Sequence, residues 1–342
     1  MSYTNGLDKP SDYFTTKLFT GNGGTNAITG VGFQPDWIWF KNRTSAQSHA
    51  IVDSVRGREG LQSNVDEADY TLNSGKDFGT FDSDGFTVLT PQQLNSFNYN
   101  TGSIVSWNWV AGTSFTNDAS GTGIGSIDSA GSASDASGFS ICSYTGTGSN
   151  ATVKHGLSTT PSMIIHKRRD DASGWPTWHT SLGTSIMELN ETGAVQSGSS
   201  YTNGTAPTSS VFSIGTSGDI NADGGTFIAY CFAEKQGYSK FSNYKGNAST
   251  NGTFVHTGFK PAFVMVKKSA GTGSWAMQDN KRTPFNVQKK SLFANLSDAE
   301  TDSANDAVDF LSNGFKFKSD TANYNTDGDA YIYMAFAEQP FV

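Results

Sequence analysis

The sequence predicts an all-β protein made of three tandem β-sandwich modules of the jelly-roll or lectin-like kind. The first observation is composition: there are 38 glycines and 13% aromatic residues, but only 16% charged residues. Aromatic side chains suit a pleated, half-buried surface, and glycine permits tight turns. The second is that short apolar runs are separated by turn residues about every 8–12 positions. The third is that the same motifs recur three times in the same order.

The repetition begins with two short motifs. Each copy opens on an aromatic residue followed by Thr or Lys and then Gly, at residues 19–21, 144–146 and 244–246. A proline then precedes an apolar run that ends on lysine, at residues 35–41, 161–167 and 261–267. A nearly continuous apolar run predicts a central strand covered on both faces. Proline just before such a strand removes no ladder hydrogen bond.

The later motifs keep the same order. An apolar residue stands three positions before an asparagine in every copy, in the pairs Leu61 and Asn64, Met187 and Asn190, and Leu292 and Asn295. Each copy closes on an aromatic-rich strand, at residues 107–109, 230–232 and 334–336. Ordered repetition of this kind is the signature of repeated structural units.

These matches divide the chain into five parts. They are an N-terminal arm (1–12), a first sandwich (13–112), a Gly/Ser-rich linker (113–137), a second sandwich (138–234) and a third sandwich (238–342). The linker has too little apolar surface to offset the entropy of ordering it. We therefore expect it to be flexible and the first sandwich to hinge more freely than the other two.

Charge and hydropathy limit the partners. The net charge is −8, and a nucleic-acid partner would need clustered basic residues. The basic run Lys167-Arg168-Arg169 is followed at once by two aspartates and predicts a solvated loop edge. The first residues are polar and unlike a signal peptide, and no apolar stretch approaches a membrane span. We expect synthesis in a cytoplasm, no membrane insertion, and release by lysis.

The residues that could serve in catalysis or metal binding show no pattern typical of an active site, so we expect that the protein is not an enzyme. The histidines and cysteines form no metal-ligand spacing, and lone histidines of this kind are expected in turns or at the surface. Asp82 and Asp84 flank a turn and do not recur as a pair in the other copies. We expect no catalytic residue, no metal and no cofactor. Cys142 and Cys231 are expected to be free thiols. Acidic turns at 82–85, 221–224 and 325–329 are expected to be plain turns, although their oxygens could hold Ca²⁺.

The tryptophans fall into two groups. Those at residues 37, 39, 107 and 109 share strand faces by period two and have apolar counterparts in the other copies, so they are predicted to lie in the core. The other three lie in glycine-rich, polar segments and are the candidate ligand-binding residues: Trp175, Trp178 and Trp275. Exposed aromatic faces there would stack on sugar rings. The alternative is that they pack beneath their loops or at a subunit interface.

Several runs resemble a module that recurs in tailed-phage virion and tail-fibre-like proteins. They include GVGFQPDWIWFKNR, FDSDGFTV and SWNWVAG in the first copy, HGLSTTPSMIIHKRRD in the second, and TGFKPAFVMVKK and YIYMAFAEQPFV in the third. The resemblance covers nearly the whole chain outside the linker. It implies a lectin-like sandwich in a virion and supplies no catalytic residues.

The expected function is that of a bacteriophage virion structural protein. It would be a tail-fibre-like or surface-exposed host-attachment component with weak glycan binding. Its partners would be other virion proteins, further copies of itself in a homo-oligomer, and a host surface glycan. One alternative is a capsid decoration or connector protein that binds only other virion proteins. Another is a glycan depolymerase, against which the lack of a recurring acid pair argues.

Overall fold

A computed structural model describes residues 9–339. The chain is all-β, as predicted: about 40% of it is strand and 6% is helix, and every sheet is antiparallel apart from isolated bridges. Of the predicted N-terminal arm, only residues 9–12 lie within the described part, where Pro10–Asp12 forms a single 3-10 turn.

From residue 9 onward, the first part of the chain holds ten strands: β1 (Phe14–Thr20), β2 (Asn26–Thr29), β3 (Trp37–Asn42), β4 (Ala50–Asp53), β5 (Glu59–Gly60), β6 (Tyr70–Thr71), β7 (Phe78–Asp82), β8 (Gly85–Val88), β9 (Ser103–Trp109) and β10 (Thr113–Asn117). The middle part holds eight: β11 (Ser129–Ser134), β12 (Phe139–Thr145), β13 (Ala151–Lys154), β14 (Met163–Arg168), β15 (Pro176–His179), β16 (Ile186–Glu188), β17 (Val211–Ile214) and β18 (Thr226–Phe232).

The last part, described up to residue 339, holds nine strands: β19 (Ser239–Lys245), β20 (Phe254–His256), β21 (Phe263–Lys268), β22 (Ala276–Asp279), β23 (Lys290–Phe293), β24 (Thr301–Asp302), β25 (Val308–Leu311), β26 (Gly314–Phe317) and β27 (Ala330–Phe336). The helices are single turns: α1 (Ala119–Thr122), α2 (Ser199–Thr202) and α3 (Gly218–Asn221). Further 3-10 turns are Thr180–Leu182 and Ala304–Asp306.

Three large sheets share one strand order at their centres. The first sheet runs β1-β9-β3-β4, the middle one β10-β11-β12-β18-β14-β15-β16, and the last one β19-β27-β21-β22-β23-β24. In each, the strand that closes a predicted copy lies between the opening strand and the strand after the proline. Smaller sheets β2-β8-β7, β13-β17 and β20-β26-β25 accompany them.

The strand registers of the large sheets also correspond. Trp37 pairs with Trp109, Met163 with Phe232, and Phe263 with Phe336. Four residues further along, the three lysines that end the apolar runs pair with Val105, Ile228 and Ile332. Because side chains alternate between faces, each central strand sends every second residue to the same side of its sheet.

Both faces of each large sheet are covered. One face packs against the accompanying small sheet in a local core, as Phe40 packs with Phe86 in the first part of the chain. The opposite faces of all three large sheets contribute to one further cluster, here called the shared core. This two-sided burial explains why the predicted central strands have almost no polar residues.

The middle of the shared core is aromatic. Trp109, Phe232 and Phe336 stand at matching positions of the three closing strands, and their rings lie 5.6–6.4 Å apart in all three pairings. All three side chains are buried. The three sheets therefore meet along one line, and the expectation that the first sandwich hinges more freely than the other two is wrong, because its sheet packs against both of them.

The segment expected to be a flexible linker is largely structured, so that expectation is also wrong. Residues 113–134, here called the hairpin segment, contain β10, α1 and β11, which extend the middle sheet beyond β12. Ladder hydrogen bonds and polar caps order it in place of a large apolar core. Its small residues are required, since a Cβ on Gly131 would lie 1.8 Å from the carbonyl oxygen of Ile141.

Candidate functional site

Trp175 and Trp275 are buried anchors between parts of the chain. They are 0% and 2% exposed, and their backbone N–H groups donate to the side chains of Asn190 and Asn295. Each indole then donates to a carbonyl oxygen on another large sheet or its loops. Trp175 Nε1 lies 3.0 Å from the oxygen of Val65, and Trp275 Nε1 lies 2.9 Å from that of Glu188. Neither ring faces solvent.

Trp178 is buried as well, at 4% exposure. It lies on β15, packs in the middle local core, and donates from Nε1 to the carbonyl oxygen of Gly183 at 2.7 Å. The expectation that Trp175, Trp178 and Trp275 lie on an exposed ligand surface is therefore wrong. Their polar sequence neighbours indicated loops, but strand pairing and neighbouring sheets cover all three rings.

His49 holds the matching position in the first part of the chain. Its backbone N–H donates to Asn64 Oδ1, and its ring Nε2 lies 2.9 Å from the carbonyl oxygen of Phe293. Each of the three anchors thus contacts a different part of the chain: first to last, middle to first, and last to middle. The three asparagines of the repeat pattern, Asn64, Asn190 and Asn295, fix the anchors by accepting their backbone N–H groups.

The lysines that end the apolar runs form a second set of hydrogen bonds between parts of the chain, and these connect the same parts as the anchors do. Lys41 Nζ donates to the carbonyl oxygen of Ser297, Lys167 to that of Asp66, and Lys267 to that of Thr192, at 3.0–3.2 Å. All three are buried. Burial lowers the pKa of each ammonium to about 8. Carbonyl dipoles therefore hold these cations, and the basic run at 167–169 does not form a solvated edge at Lys167.

Two buried ion pairs add to the contacts between sheets. Arg56 and Asp53 lie 2.6 Å apart with both side chains fully buried, and Tyr230 from the middle sheet donates to Asp53. Arg282 and Asp279 repeat this pair at the same distance, and Trp107 Nε1 donates to Asp279. Removing either partner of such a buried pair is strongly destabilising, because the other charge is left buried without its partner.

A carboxyl group with an unusual environment lies beside these contacts. Glu188 Oε1 accepts from Gln196 Nε2 at 3.2 Å, whereas Oε2 is buried with no hydrogen-bond partner among residues 9–339. Burial, followed by the charge of Asp219, raises the pKa of Glu188 to about 8. Asp219 accepts from Ser173 and Tyr201. Glu188 therefore holds its proton more strongly than an ordinary carboxyl, and the hydrogen-bonded Asp219 contributes to this effect.

Both cysteines and four of the five histidines are buried. Cys142 and Cys231 are buried free thiols, as predicted, and burial raises the pKa of Cys142 to about 12. His49, His155, His166 and His179 are buried, so the expectation that the histidines lie in turns or at the surface is wrong for these four.

The acidic turns form hydrogen bonds within the chain. Asp84 accepts the N–H groups of Gly30 and Gly32. Asn221 and Asn325 are buried and accept the N–H groups of Thr147 and Asn247. Over residues 9–339, no group of three or more His, Cys, Asp or Glu side chains is arranged to hold a metal ion. None of the helices in that range is long and apolar enough to cross a membrane.

A polar cleft of about 480 Å³ opens where the hairpin segment meets β12 and β18. Its lining is rich in hydroxyls and charged groups: Thr116, Asn117, Asp118, Asp128, Ser129, Ala130, Ser143, Tyr144, Thr145, Arg169 and Thr226. Sequence reasoning missed this cleft because the segment's composition indicated disorder. The available signal was the sequence Asn117-Asp118-Ala119, in which an Asx residue precedes a helical turn.

The charged groups of the polar cleft are held by their own hydrogen bonds. Asp118 Oδ1 accepts from Gly121 N at 3.0 Å and from Ser120 Oγ at 2.7 Å, and these contacts lower the pKa of Asp118. Asp128 Oδ1 accepts from Ala119 N at 2.8 Å. Arg169 Nε lies 2.8 Å from Asp69 Oδ2. Hydrogen bonds to one polar atom thus hold each of these charged side chains in position.

The fold and the cleft define an all-β protein whose three large sheets share one core and whose middle sheet carries an added polar cleft. The chain belongs to the family described as "Domain of unknown function (DUF7483)", whose model matches residues 9–340. No curated protein and no solved structure matches the chain.

Proposed function

We propose that the chain is built from three tandem β-sandwich modules, at 13–112, 138–234 and 238–342, and that it is a non-enzymatic structural component of a bacteriophage virion. The matching strand orders and registers of the large sheets support the modular part of this proposal. The resemblance of its sequence runs to tail-fibre-like proteins supports the virion setting.

The hydrogen bonds that connect each part of the chain to another support the structural part of the proposal. His49, Trp175 and Trp275 each reach another part of the chain, and Lys41 and Lys267 reinforce the same pattern. Each sheet is therefore fixed by the other two. Such a scaffold presents its outer loops at constant relative positions, which suits a component at the surface of a particle.

We further propose that this component takes part in host attachment through weak binding of surface glycans. The polar cleft supports this part, since its hydroxyl, carboxylate and guanidinium groups are those that recognise sugars by hydrogen bonding. Partners would be other virion proteins, host surface glycan, and further copies of the chain in a homo-oligomer. Repeated weak sites on one particle raise avidity without a strong single site.

Localisation and competition experiments test this function. Antibody-labelled electron microscopy of purified particles is expected to place the chain on their outer surface. Purified protein is expected to compete with particle adsorption to host cells. If purified particles lack the chain, the virion role is wrong. If the chain is on the particle but the protein does not compete, the attachment role is wrong.

A second candidate is a decoration or connector protein that contacts only virion proteins. The observation that favours it is Phe285, whose side chain is 80% exposed, since a large exposed aromatic residue suits a protein contact. Phe285→Ser is then expected to reduce incorporation into particles while the isolated protein stays folded. Unchanged incorporation would count against this candidate.

The depolymerase alternative is tested at Glu188 and the neighbouring Asp219. In such an enzyme Glu188, whose pKa is raised, would be the candidate general acid. We expect no release of reducing sugar from host envelope polysaccharide by the wild-type chain. Release that is abolished in Glu188→Gln but retained in Glu191→Gln would show an enzyme and overturn the non-enzymatic proposal.

A further inference from the structure

The polar cleft has a composition that indicates the class of its ligand. We propose that it binds adjacent hydroxyl groups of a neutral saccharide, with Asp118 and Asp128 accepting hydrogen bonds and Arg169 donating them. This inference deepens the proposed glycan binding and rests on it. It places the ligand on the hairpin segment, away from the tryptophans that the sequence suggested.

The acceptors are available because of how the carboxylates are fixed. Asp118 and Asp128 both use Oδ1 to receive N–H groups of the α1 turn. Within residues 9–339 no hydrogen bond reaches Oδ2 of either residue in the structure, so each retains a charged acceptor. Hydrogen bonds from sugar hydroxyls to a carboxylate are stronger than those between neutral groups. Both carboxylates are exposed and line the same cleft.

The donor is positioned in a comparable way. Arg169 contacts Asp69 through Nε, and guanidinium carries further N–H donors on its two Nη atoms. Hydroxyl side chains such as Thr145 and Thr226 line the same cleft. A sugar hydroxyl both donates and accepts hydrogen bonds, so it is complementary to a cleft lined by both donors and acceptors. A phosphate would face two carboxylates, and a cation would face Arg169.

The cleft is also an addition to the common architecture. Within residues 9–339, the first and last large sheets have no strand beyond β1 and β19, whereas the middle sheet continues through β11 to β10. The hairpin segment contributes only a few partly buried apolar side chains, such as Phe115 and Ile127, to the neighbouring core. Its ordered structure mainly supports the polar groups of the cleft.

The test is a paired substitution in the full chain. Asp118→Asn and Asp128→Asn together keep each Oδ1 acceptor for the α1 turn and replace each Oδ2 with an amide donor. The matched control is Asp135→Asn. Asp135 is also exposed and receives one N–H, from Ser158 at 2.8 Å, but it lies in the turn between β11 and β12 and does not line the cleft.

Binding is measured by saturation-transfer NMR with methyl α-D-mannopyranoside and methyl α-D-galactopyranoside. At least one sugar is expected to bind the wild type and D135N at millimolar concentrations, and the double variant about 10-fold more weakly or not at all, since charge-assisted hydrogen bonds are lost. The per-O-methylated sugars, which lack hydroxyl donors, are expected not to bind. Thermal melts establish that both variants are folded.

Three outcomes would overturn the inference: no binding of either sugar by the wild type at 50 mM, unchanged binding in the double variant, or equal binding of the per-O-methylated sugars. Any of these leaves the virion and attachment tests standing, since particle location and adsorption are measured independently. Conversely, sugar binding at the cleft by a chain that is absent from particles would retain this inference and remove the proposed virion role.

Discussion

The shared core and the hairpin segment are stabilised in opposite ways. The shared core joins three sheets through large buried rings such as Trp109, Phe232 and Phe336. The hairpin segment joins the edge of one sheet through ladder hydrogen bonds and side-chain caps such as Asp118. Burial of each large apolar side chain contributes about 1.5–3 kcal/mol, whereas a cap contributes about 1 kcal/mol. The fold should therefore tolerate changes in the hairpin segment far better than in the shared core.

The largest expected effect is from Phe232→Ala. This change removes ring contacts to both Trp109 and Phe336 at the meeting line of the three sheets. Truncation of a buried phenylalanine costs about 3–5 kcal/mol, measured as the free energy of unfolding in urea. The matched control is Phe254→Ala, at a residue 43% exposed, where we expect less than about 1 kcal/mol. Similar losses in both variants would show that packing where the three sheets meet contributes no more to the free energy of unfolding than packing at an exposed position.

The buried lysines should make stability rise with pH. The pKa of Lys41, Lys167 and Lys267 is about 8 in the folded chain and about 10.5 when unfolded. Between pH 8 and 9 the unfolded lysines therefore bind more protons than the folded ones, and their contribution to the free energy of unfolding increases with pH. From about pH 9 upward the two buried cysteines and buried tyrosines such as Tyr230 oppose this trend, since burial raises their pKa above the unfolded value.

Urea unfolding of the wild type and of Lys267→Met at pH 8, 8.5 and 9 measures this contribution. Lys267→Met removes one of the three groups and should lower the lysine contribution to the slope by about a third, each group contributing at most about 1.4 kcal/mol per pH unit. Lys245→Met, at an exposed lysine of β19, is the control and should leave the slope unchanged. Equal slopes in the wild type and Lys267→Met would show that burial does not lower the pKa of this lysine.

Glu188 should produce an effect of opposite sign in a different pH range. Its folded pKa of about 8 lies above its unfolded value of 4.5. The stability it contributes is therefore present below pH 4.5 and is lost as pH rises towards 8. Glu188→Gln keeps the Oε1 acceptor for Gln196. At pH 8 its free energy of unfolding in urea should exceed that of the wild type by about 1–3 kcal/mol. At pH 4 the two should agree.

The control for this comparison is Glu191→Gln, at an exposed residue nearby. It should show a smaller gain at pH 8, since its own carboxylate is solvated and only its charge acts on the pKa of Glu188. An equal gain in both variants would mean that relief of local negative charge explains the effect, and that the buried oxygen of Glu188 does not.

The smallest expected effect on stability is from the double substitution in the polar cleft. Asp118→Asn and Asp128→Asn retain the caps of the α1 turn, and Asn and Asp cap helices almost equally well. We expect a change below about 0.5 kcal/mol in the free energy of unfolding. A loss comparable to that of Phe232→Ala would show that the hairpin segment belongs to the cooperative core and would remove the contrast between the two regions.

The sequence alone determined the features that depend on local pattern. The apolar runs after Pro35, Pro161 and Pro261 are the central strands β3, β14 and β21, because period and turn residues encode a strand locally. Alternation also placed Trp37 and Trp109 on buried faces correctly. The two cysteines were predicted to be free thiols from their number and setting, and they are.

Only the tertiary structure decided which polar-looking segments are buried. Trp175 and Trp275 lie in segments with the composition of loops, yet another part of the chain covers each ring and accepts its N–H. Lys167 looks solvated in sequence, but its ammonium finds a carbonyl oxygen 101 positions away. The hairpin segment has the composition of a linker, yet an adjacent strand edge supplies its hydrogen bonds. Burial of this kind depends on surfaces brought together from distant parts of the chain, which local composition does not encode.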